Sequence, residues 1–218
     1  MSLRRIGSAA GAVRATASRG TVAPMNRPVP LLTRRRACAL AATLWPAAAA
    51  RAEGADEAAA WAALREGAIV LFRHADAPGI GDPPQFRLGD CSTQRNLGDA
   101  GRAQSRRIGE RLRREAVPVQ AMWASQWCRT RETAELAALG PVREQPAFNS
   151  FFADRGDEPA QTAAARALLL GWRERGTLVV VTHQVNISAL TGEFAGSGEG
   201  LVLRRQGPTL AVVGRIRP

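Results

Sequence analysis

The chain contains two histidines, and each of them directly follows a short run of mostly apolar residues. His74 comes after residues 68–73, and His183 comes after residues 177–182. Apolar runs rich in β-branched residues are typical of strands buried on both faces of a parallel sheet. Open α/β sheets bind ligands at the carboxyl ends of their strands. Both histidines are therefore predicted to lie at a binding or catalytic site.

Arginines accompany the histidines at these predicted strand ends. Arg73 directly precedes His74, and Arg129 follows a third predicted strand that ends at Ser125. Guanidinium groups bind pairs of phosphate oxygens and keep their charge. A helix that begins near Arg129 would add backbone N–H groups. Since one imidazole could attack phosphorus while the other stabilises developing charge, the pattern predicts a site for a tetrahedral dianion.

Strands and helices alternate along the rest of the chain. The predicted strands are 68–72, 117–124, a short strand near 142, 177–182, 201–204 and 210–216, with the last two antiparallel. The predicted helices are 55–66, 97–114, 129–139, 160–172 and 184–190. This alternation predicts an α/β fold, with three αβα layers and a mostly parallel central sheet. Right-handed crossovers would bring the three charged strand ends to one edge of that sheet.

Residues 77–96 are rich in glycine and proline and are predicted to form a loop. A long loop beside a strand end is more often a binding loop than a linker. If an imidazole attacks phosphorus as described above, we expect this loop, with Phe86 and Arg87, to form much of the surface that contacts the group displaced from phosphorus.

The net charge of +11 is concentrated at the N-terminus. Residues 1–52 hold nine arginines and no acidic residue, whereas residues 53–218 hold 21 arginines and 19 acidic residues. The distribution therefore does not support a nucleic-acid-binding domain.

Residues 25–52 have the layout of an export signal. Three arginines at 34–36 precede an apolar stretch, 37–50, that is too short to span a bilayer. Residues 50–52 then match a small-x-small cleavage pattern. We expect an N-terminal extension and export signal over 1–52, of the twin-arginine or the Sec type, with Met25 as an alternative start, and a single domain over 53–218. The alternative is an N-terminal helix that stays in the protein.

Two cysteines, Cys91 and Cys128, remain after removal of such a signal. In an oxidising compartment they could form a disulfide, and two free buried thiols are the alternative. No spacing typical of a zinc site is present, so no metal and no cofactor are expected.

Four short motifs occur in the order found in the histidine phosphatase superfamily, the phosphoglycerate-mutase-like fold, and the chain resembles that family over about residues 67–192. They are Arg73-His74-Ala75, Leu97-x-x-x-Gly101, Ser125-x-x-x-Arg129-x-x-x-Thr133-Ala134 and Val181-Thr182-His183. The resemblance implies that His74 becomes phosphohistidine. It also implies that Arg73, Arg129 and His183 bind the phosphoryl group.

The resemblance further implies a carboxylic acid that protonates the leaving oxygen. Many members place it in the irregular segment beyond the second arginine, which points to Asp154, with Glu158, Asp157 and Asp76 as rivals. Some small members have no clear acid. Asp76 and Asn186 are also candidates for substrate contact.

The function implied by the resemblance is an exported phosphatase that hydrolyses a phosphomonoester through phosphohistidine. Its expected partner is a small phosphorylated substrate, such as a sugar phosphate or a lipopolysaccharide-core heptose phosphate. A phosphomutase or phosphotransferase of the same fold and a non-catalytic anion-binding protein are the alternatives.

Overall fold

The structure is a computed structural model and describes residues 56–218. The N-terminal extension and export signal predicted over 1–52 therefore lie outside the described residues. Along the described chain the elements are α1 (56–65), β1 (Ile69–Arg73), α2 (Asp99–Arg114), β2 (Val119–Ala124), α3 (Cys128–Ala137), β3 (Val142–Glu144), α4 (Glu158–Gly171), β4 (Thr177–Thr182), α5 (Gln184–Thr191), β5 (Gly200–Gln206) and β6 (Thr209–Ile216).

The six strands form one sheet in the order β3-β2-β4-β1-β5-β6. Strands β1 to β4 pair in parallel, while β5 and β6 join the edge of β1 as an antiparallel pair. The predicted α/β fold with a mostly parallel sheet is thus confirmed.

The side chains of β1 alternate between two apolar cores because a strand has a period of two. Val70 and Phe72 pack with residues of α1, α2 and α3 on one face of the sheet. Ile69 and Leu71 pack with residues of α4 and α5 on the other face. This burial on both faces explains why the strand is a continuous apolar run.

Several element ends differ from the predicted ones by one or two residues, and two of them have clear local reasons. β2 begins at Val119, after Pro118, because proline has no N–H to donate to a strand ladder. α4 begins at Glu158, two residues earlier than predicted, with Pro159 in its first turn, where the missing N–H is not needed. The predicted loop 77–96 contains only one short 3₁₀ turn, Cys91–Thr93.

Gly101 allows α2 to lie against the segment that follows β1. A Cβ at this position would clash with the carbonyl oxygen of Asp76. The glycine of the Leu97-x-x-x-Gly101 motif therefore permits the close approach of this helix to the chain just beyond His74. No helix among residues 56–218 combines the length and the apolar character needed to cross a membrane.

Candidate active site

The register of β1 and β4 places the two histidines side by side. Arg73 pairs with Thr182 across the two strands, and the N–H of His74 donates to the carbonyl oxygen of Thr182 at 2.9 Å. Each histidine is the first residue after this pair, so both leave the sheet at the same level. Their ring centroids lie 5.5 Å apart.

The third strand end brings Arg129 to the same place. Ala124 at the end of β2 pairs with Val181, and the N–H of Ser125 donates to the carbonyl oxygen of Val181 at 3.1 Å. α3 begins at Cys128, so Arg129 lies in its first turn. The side chain of Arg129 is buried, and its Nη2 lies 3.5 Å from Nδ1 of His183.

His74 is held as a neutral imidazole with one free nitrogen. Its Nδ1 lies 2.7 Å from the carbonyl oxygen of Ala75, and since a carbonyl only accepts, Nδ1 carries the hydrogen. Nε2 therefore keeps its lone pair. Burial, and then the positive charge of Arg129, lower the pKa of His74 from 6.5 to about 3. The imidazole is thus unprotonated, as a nucleophile must be.

In His183 the hydrogen lies on Nε2, whereas in His74 it lies on Nδ1. Arg129 donates toward Nδ1, while Nε2 lies 2.8 Å from Oγ of Ser125, so Nε2 carries the hydrogen and donates to the serine. Burial, followed by the charge of Arg129, lowers the pKa of His183 well below its usual value. Ser125 therefore orients the second imidazole, with Oγ1 of Thr130 only 2.6 Å from its own Oγ.

The low pKa of His74 predicts a stability that rises with pH. Between about pH 3 and pH 6.5 the unfolded chain binds a proton at this residue that the folded chain does not, so the free energy of unfolding falls as the pH falls. From pH 7.5 to pH 5 we expect His74 alone to remove about 2 kcal/mol. Denaturant unfolding at pH 7.5 and pH 5 measures this loss. In His74→Gln the free energy of unfolding should fall by about 2 kcal/mol less than in the wild type. An identical loss in the two proteins would contradict the assignment.

A cavity of about 370 Å³ opens onto the two histidines and is lined by four arginines. They are Arg73, Arg95, Arg129 and Arg155. The Nε atoms of Arg73 and Arg129 are buried without a hydrogen-bond partner among the described residues. Each N–H could therefore donate a hydrogen bond to an oxygen of a bound anion. Burial, and then the charge of Arg129, lower the pKa of Arg95.

Asp82 is the only carboxylate among the described residues that line the cavity. Its two oxygens accept from Nη1 and Nη2 of Arg129 at 2.7 and 3.2 Å. The indole N–H of Trp127 and the backbone N–H of Arg95 also donate to it, at 2.9 and 3.1 Å. Burial raises the pKa of Asp82, but the hydrogen bonds from Arg129 and Trp127 outweigh it and hold the pKa below its usual value.

Sequence reasoning missed both Asp82 and Arg95. Both belong to the loop 77–96, where no periodic pattern indicates which side chains turn inward. Arg95 binds this loop to itself, because its guanidinium donates to the carbonyl oxygens of Gly81, at 2.8 Å, and Ala77. The position of Arg95, two residues before the Leu97 motif, was the one available signal.

The other predicted site residues do not reach the cavity. Asp154 is exposed, and its carboxylate accepts from the N–H of Gly156 at the start of a 3₁₀ turn. Asp76 is exposed as well. Asn186 is buried, but its amide donates to the carbonyl oxygen of Asn149 at 2.8 Å. Among the candidate acids named from the sequence, none lines the cavity; Asp157 and Glu158 lie at the start of α4.

A disulfide joins Cys91 to Cys128, the first residue of α3. The residues are 37 apart in the sequence, and closing a loop of that length stabilises a fold by roughly 3–4 kcal/mol. The side-chain oxygen of Gln94 accepts from the N–H of Cys128 at 2.9 Å. The ring of Phe86 stacks on Trp127 with centroids 5.0 Å apart. The loop is thus fixed to the base of the helix that carries Arg129.

Residues 69–157 match the sequence profile described as histidine phosphatase superfamily (branch 1). This segment contains Arg73, His74 and Arg129 and ends before His183. The sequence matches no curated protein.

Solved structures share the fold at low identity. A SixA protein histidine phosphatase complexed with tungstate is 16% identical, with a TM-score of 0.51 over 69% of this chain and 96% of that one. A protein from Agrobacterium tumefaciens assigned as phosphohistidine phosphatase SixA is 18% identical, with a TM-score of 0.50 over 70% and 99%. A protein from Escherichia coli K-12 assigned as an alpha-ribazole-5'-P phosphatase is 14% identical, with a TM-score of 0.51 over 67% and 94%. Over residues 69–157 this chain therefore resembles the histidine phosphatase superfamily, and its fold is the phosphoglycerate-mutase-like one that the motifs implied.

Proposed function

We propose that the protein is a phosphatase that hydrolyses a phosphomonoester through a phosphohistidine at His74. The observation that carries this proposal is the shared cavity of two neutral imidazoles and four arginines, in which Nε2 of His74 keeps its lone pair. Positive charge on the cavity wall attracts a phosphoryl dianion, and the unprotonated nitrogen supplies a nucleophile.

The reaction has two steps. Nε2 of His74 attacks phosphorus, an N–P bond forms, and the bond from phosphorus to the ester oxygen breaks. Water then attacks the phosphohistidine, the N–P bond breaks, and inorganic phosphate leaves. Arg73 and Arg129 donate to the phosphoryl oxygens and stabilise the charge that develops on them. The bound dianion raises the pKa of His183, so that Nδ1 of His183 takes up a proton and donates to the phosphoryl group as well.

Asp82 is the group that we propose to protonate the leaving oxygen, in place of Asp154. In this structure its carboxylate pairs with Arg129, and a phosphoryl group that binds Arg129 would lie beside the same guanidinium. Because two anions at one guanidinium repel each other, phosphoryl binding raises the pKa of Asp82 and favours its protonated form. The protonated carboxyl group can then donate to the ester oxygen as the alcohol departs.

The names of two structural relatives support phosphoryl chemistry at a histidine. One is named as the protein histidine phosphatase SixA and was solved with tungstate, a tetrahedral dianion like phosphate, and the other is assigned as a phosphohistidine phosphatase SixA. The proposal is tested by comparing the hydrolysis of an aryl phosphate by the wild type and by His74→Ala. Release of inorganic phosphate, without its transfer to an added alcohol, separates a phosphatase from a phosphotransferase.

The protein is also proposed to be exported. The predicted signal in residues 1–52 supports this, and so does the disulfide, since disulfides persist mainly in oxidising compartments. Protein isolated from the periplasm is expected to begin near Glu53 and to show no free thiol when denatured without reductant. Mass spectrometry and a thiol titration provide the measurements. A chain that begins at Met1 or Met25, or a count of two thiols in the processed chain, would refute the idea.

A further inference from the structure

Exposed apolar side chains are concentrated at the mouth of the cavity. Among residues 56–218, five large apolar side chains are exposed. Three of them, Ile80, Phe152 and Phe194, line the cavity of the arginines and histidines and are called the apolar rim here. The other two, Leu88 and Val212, lie elsewhere. Soluble proteins rarely group such side chains without a binding role.

Ile80 is exposed on a turn between two glycines. It lies between Gly79 and Gly81, whose φ angles of 91° and 69° belong to a region that glycine adopts easily and other residues rarely. The side chain of Ile80 is 91% exposed. Burying it against the core would have been the ordinary result for an isoleucine. The loop therefore presents this side chain to whatever enters the cavity.

The two phenylalanines continue the apolar rim around the opening. Phe152 is 53% exposed, although its neighbour Phe151 is buried in the core. Phe194 is 64% exposed, and its ring centroid lies 5.9 Å from Cζ of Arg73. An apolar surface thus directly adjoins the charged wall of the cavity.

Two of the polar side chains that line the cavity, Gln184 and Ser188, are already engaged within the protein. The amide of Gln184 donates to Oγ of Ser188 at 2.8 Å and accepts from the N–H of Ala195 at 2.9 Å. Oγ of Ser188 donates to the carbonyl oxygen of Glu193 at 3.0 Å. A sugar with several hydroxyl groups needs hydrogen-bond partners when it loses water. Gln184 and Ser188 therefore offer few free hydrogen-bonding groups to the hydroxyl groups of a sugar.

We infer that the substrate is a phosphomonoester whose leaving group is apolar, such as an alkyl or aryl alcohol, with the phosphoryl group on the arginines and the apolar group on the rim. The inference rests on the proposed function and names the substrate class of the same site. It differs from the sugar phosphate that the sequence suggested. Each methylene group removed from water favours binding about three- to fourfold.

The test compares hexyl phosphate with glucose 6-phosphate, because both leaving groups are primary alcohols and differ in polarity. For the full chain we expect kcat/KM to be at least about tenfold higher for hexyl phosphate. Ile80→Ser and Phe152→Ser should each lower this ratio about three- to tenfold. Leu88→Ser is the matched control: it removes an exposed apolar side chain from the same loop but outside the cavity, so the ratio should stay unchanged.

Different outcomes separate this inference from the proposed function. Equal kcat/KM for the two esters, with hydrolysis that depends on His74, would overturn the inference and leave the proposed function standing. Rim substitutions that leave the ratio unchanged would overturn it as well. If no ester is turned over, the proposed function fails, and calorimetry on the wild type then decides the substrate class. Tighter binding of hexyl phosphate than of glucose 6-phosphate supports the inference, and equal binding refutes it.

Discussion

Replacing His74 with alanine is expected to lower the hydrolysis of p-nitrophenyl phosphate by at least about 10⁴-fold, because no other side chain can take its place as the nucleophile. The second imidazole is not available for this role. Nε2 of His183 carries the hydrogen that it donates to Ser125, and its Nδ1 faces the guanidinium of Arg129. Release of inorganic phosphate over time measures the effect directly.

A trapping experiment distinguishes loss of the nucleophile from general damage to the site. Wild-type protein quenched soon after mixing with a labelled ester should carry an acid-labile, base-stable phosphoryl group on the peptide that contains His74. His183→Ala should still form this species, although more slowly, because His183 binds the phosphoryl group without attacking it. Equal hydrolysis rates for the wild type and His74→Ala, or a label on His183, would refute the assigned roles.

Replacing Asp82 with asparagine is expected to give an effect that depends on the leaving group. On an alkyl phosphate kcat should fall about 10²- to 10³-fold, since an alkoxide needs a proton as it departs. On p-nitrophenyl phosphate kcat should change little, because nitrophenolate leaves without one. The same variant should bind inorganic phosphate more tightly, because Arg129 no longer pairs with a carboxylate. Steady-state kinetics across a series of esters, with phosphate as inhibitor, measures both effects.

Asp154→Asn provides the matched comparison for this experiment. It makes the same chemical change at an exposed carboxylate that caps a 3₁₀ turn outside the cavity. We expect its kinetics on both esters to equal those of the wild type. Loss of alkyl phosphate hydrolysis in Asp154→Asn, with none in Asp82→Asn, would assign the proton donor to Asp154 instead.

Strands β1 and β4 were predictable because burial on both faces leaves a clear mark in the sequence. Their apolar runs end where the histidines begin, and parallel pairing places such ends at one edge of the sheet. The positions of Arg73, His74 and His183 follow from this arrangement, and that of Arg129 follows from the pairing of β2 with β4 and from the first turn of α3. These positions depend on the hydrogen bonding of parallel strands, which follows the same pattern in every such sheet.

The side chains contributed by irregular segments could not be predicted in the same way. Asp82 reaches Arg129 because of the path of the loop 77–96, which is set by a disulfide, by turns at glycine and by the hydrogen bonds of Arg95. No local pattern in the sequence encodes that path. Asn186 shows the same limit within a regular element: it lies three residues after His183, yet its amide turns to the carbonyl oxygen of Asn149.

The strand register described above has a consequence for how this protein can change over evolutionary time. Main-chain hydrogen bonds between β1 and β4 set the distance between the two imidazoles. These bonds do not depend on which side chains the neighbouring loop carries. Substitutions at Ile80, Phe152 or Phe194 can therefore replace the surface that meets the alcohol while the two histidines keep their spacing. The two histidines and the apolar rim belong to separate parts of the chain, so a new substrate preference can arise at the rim without moving the nucleophile.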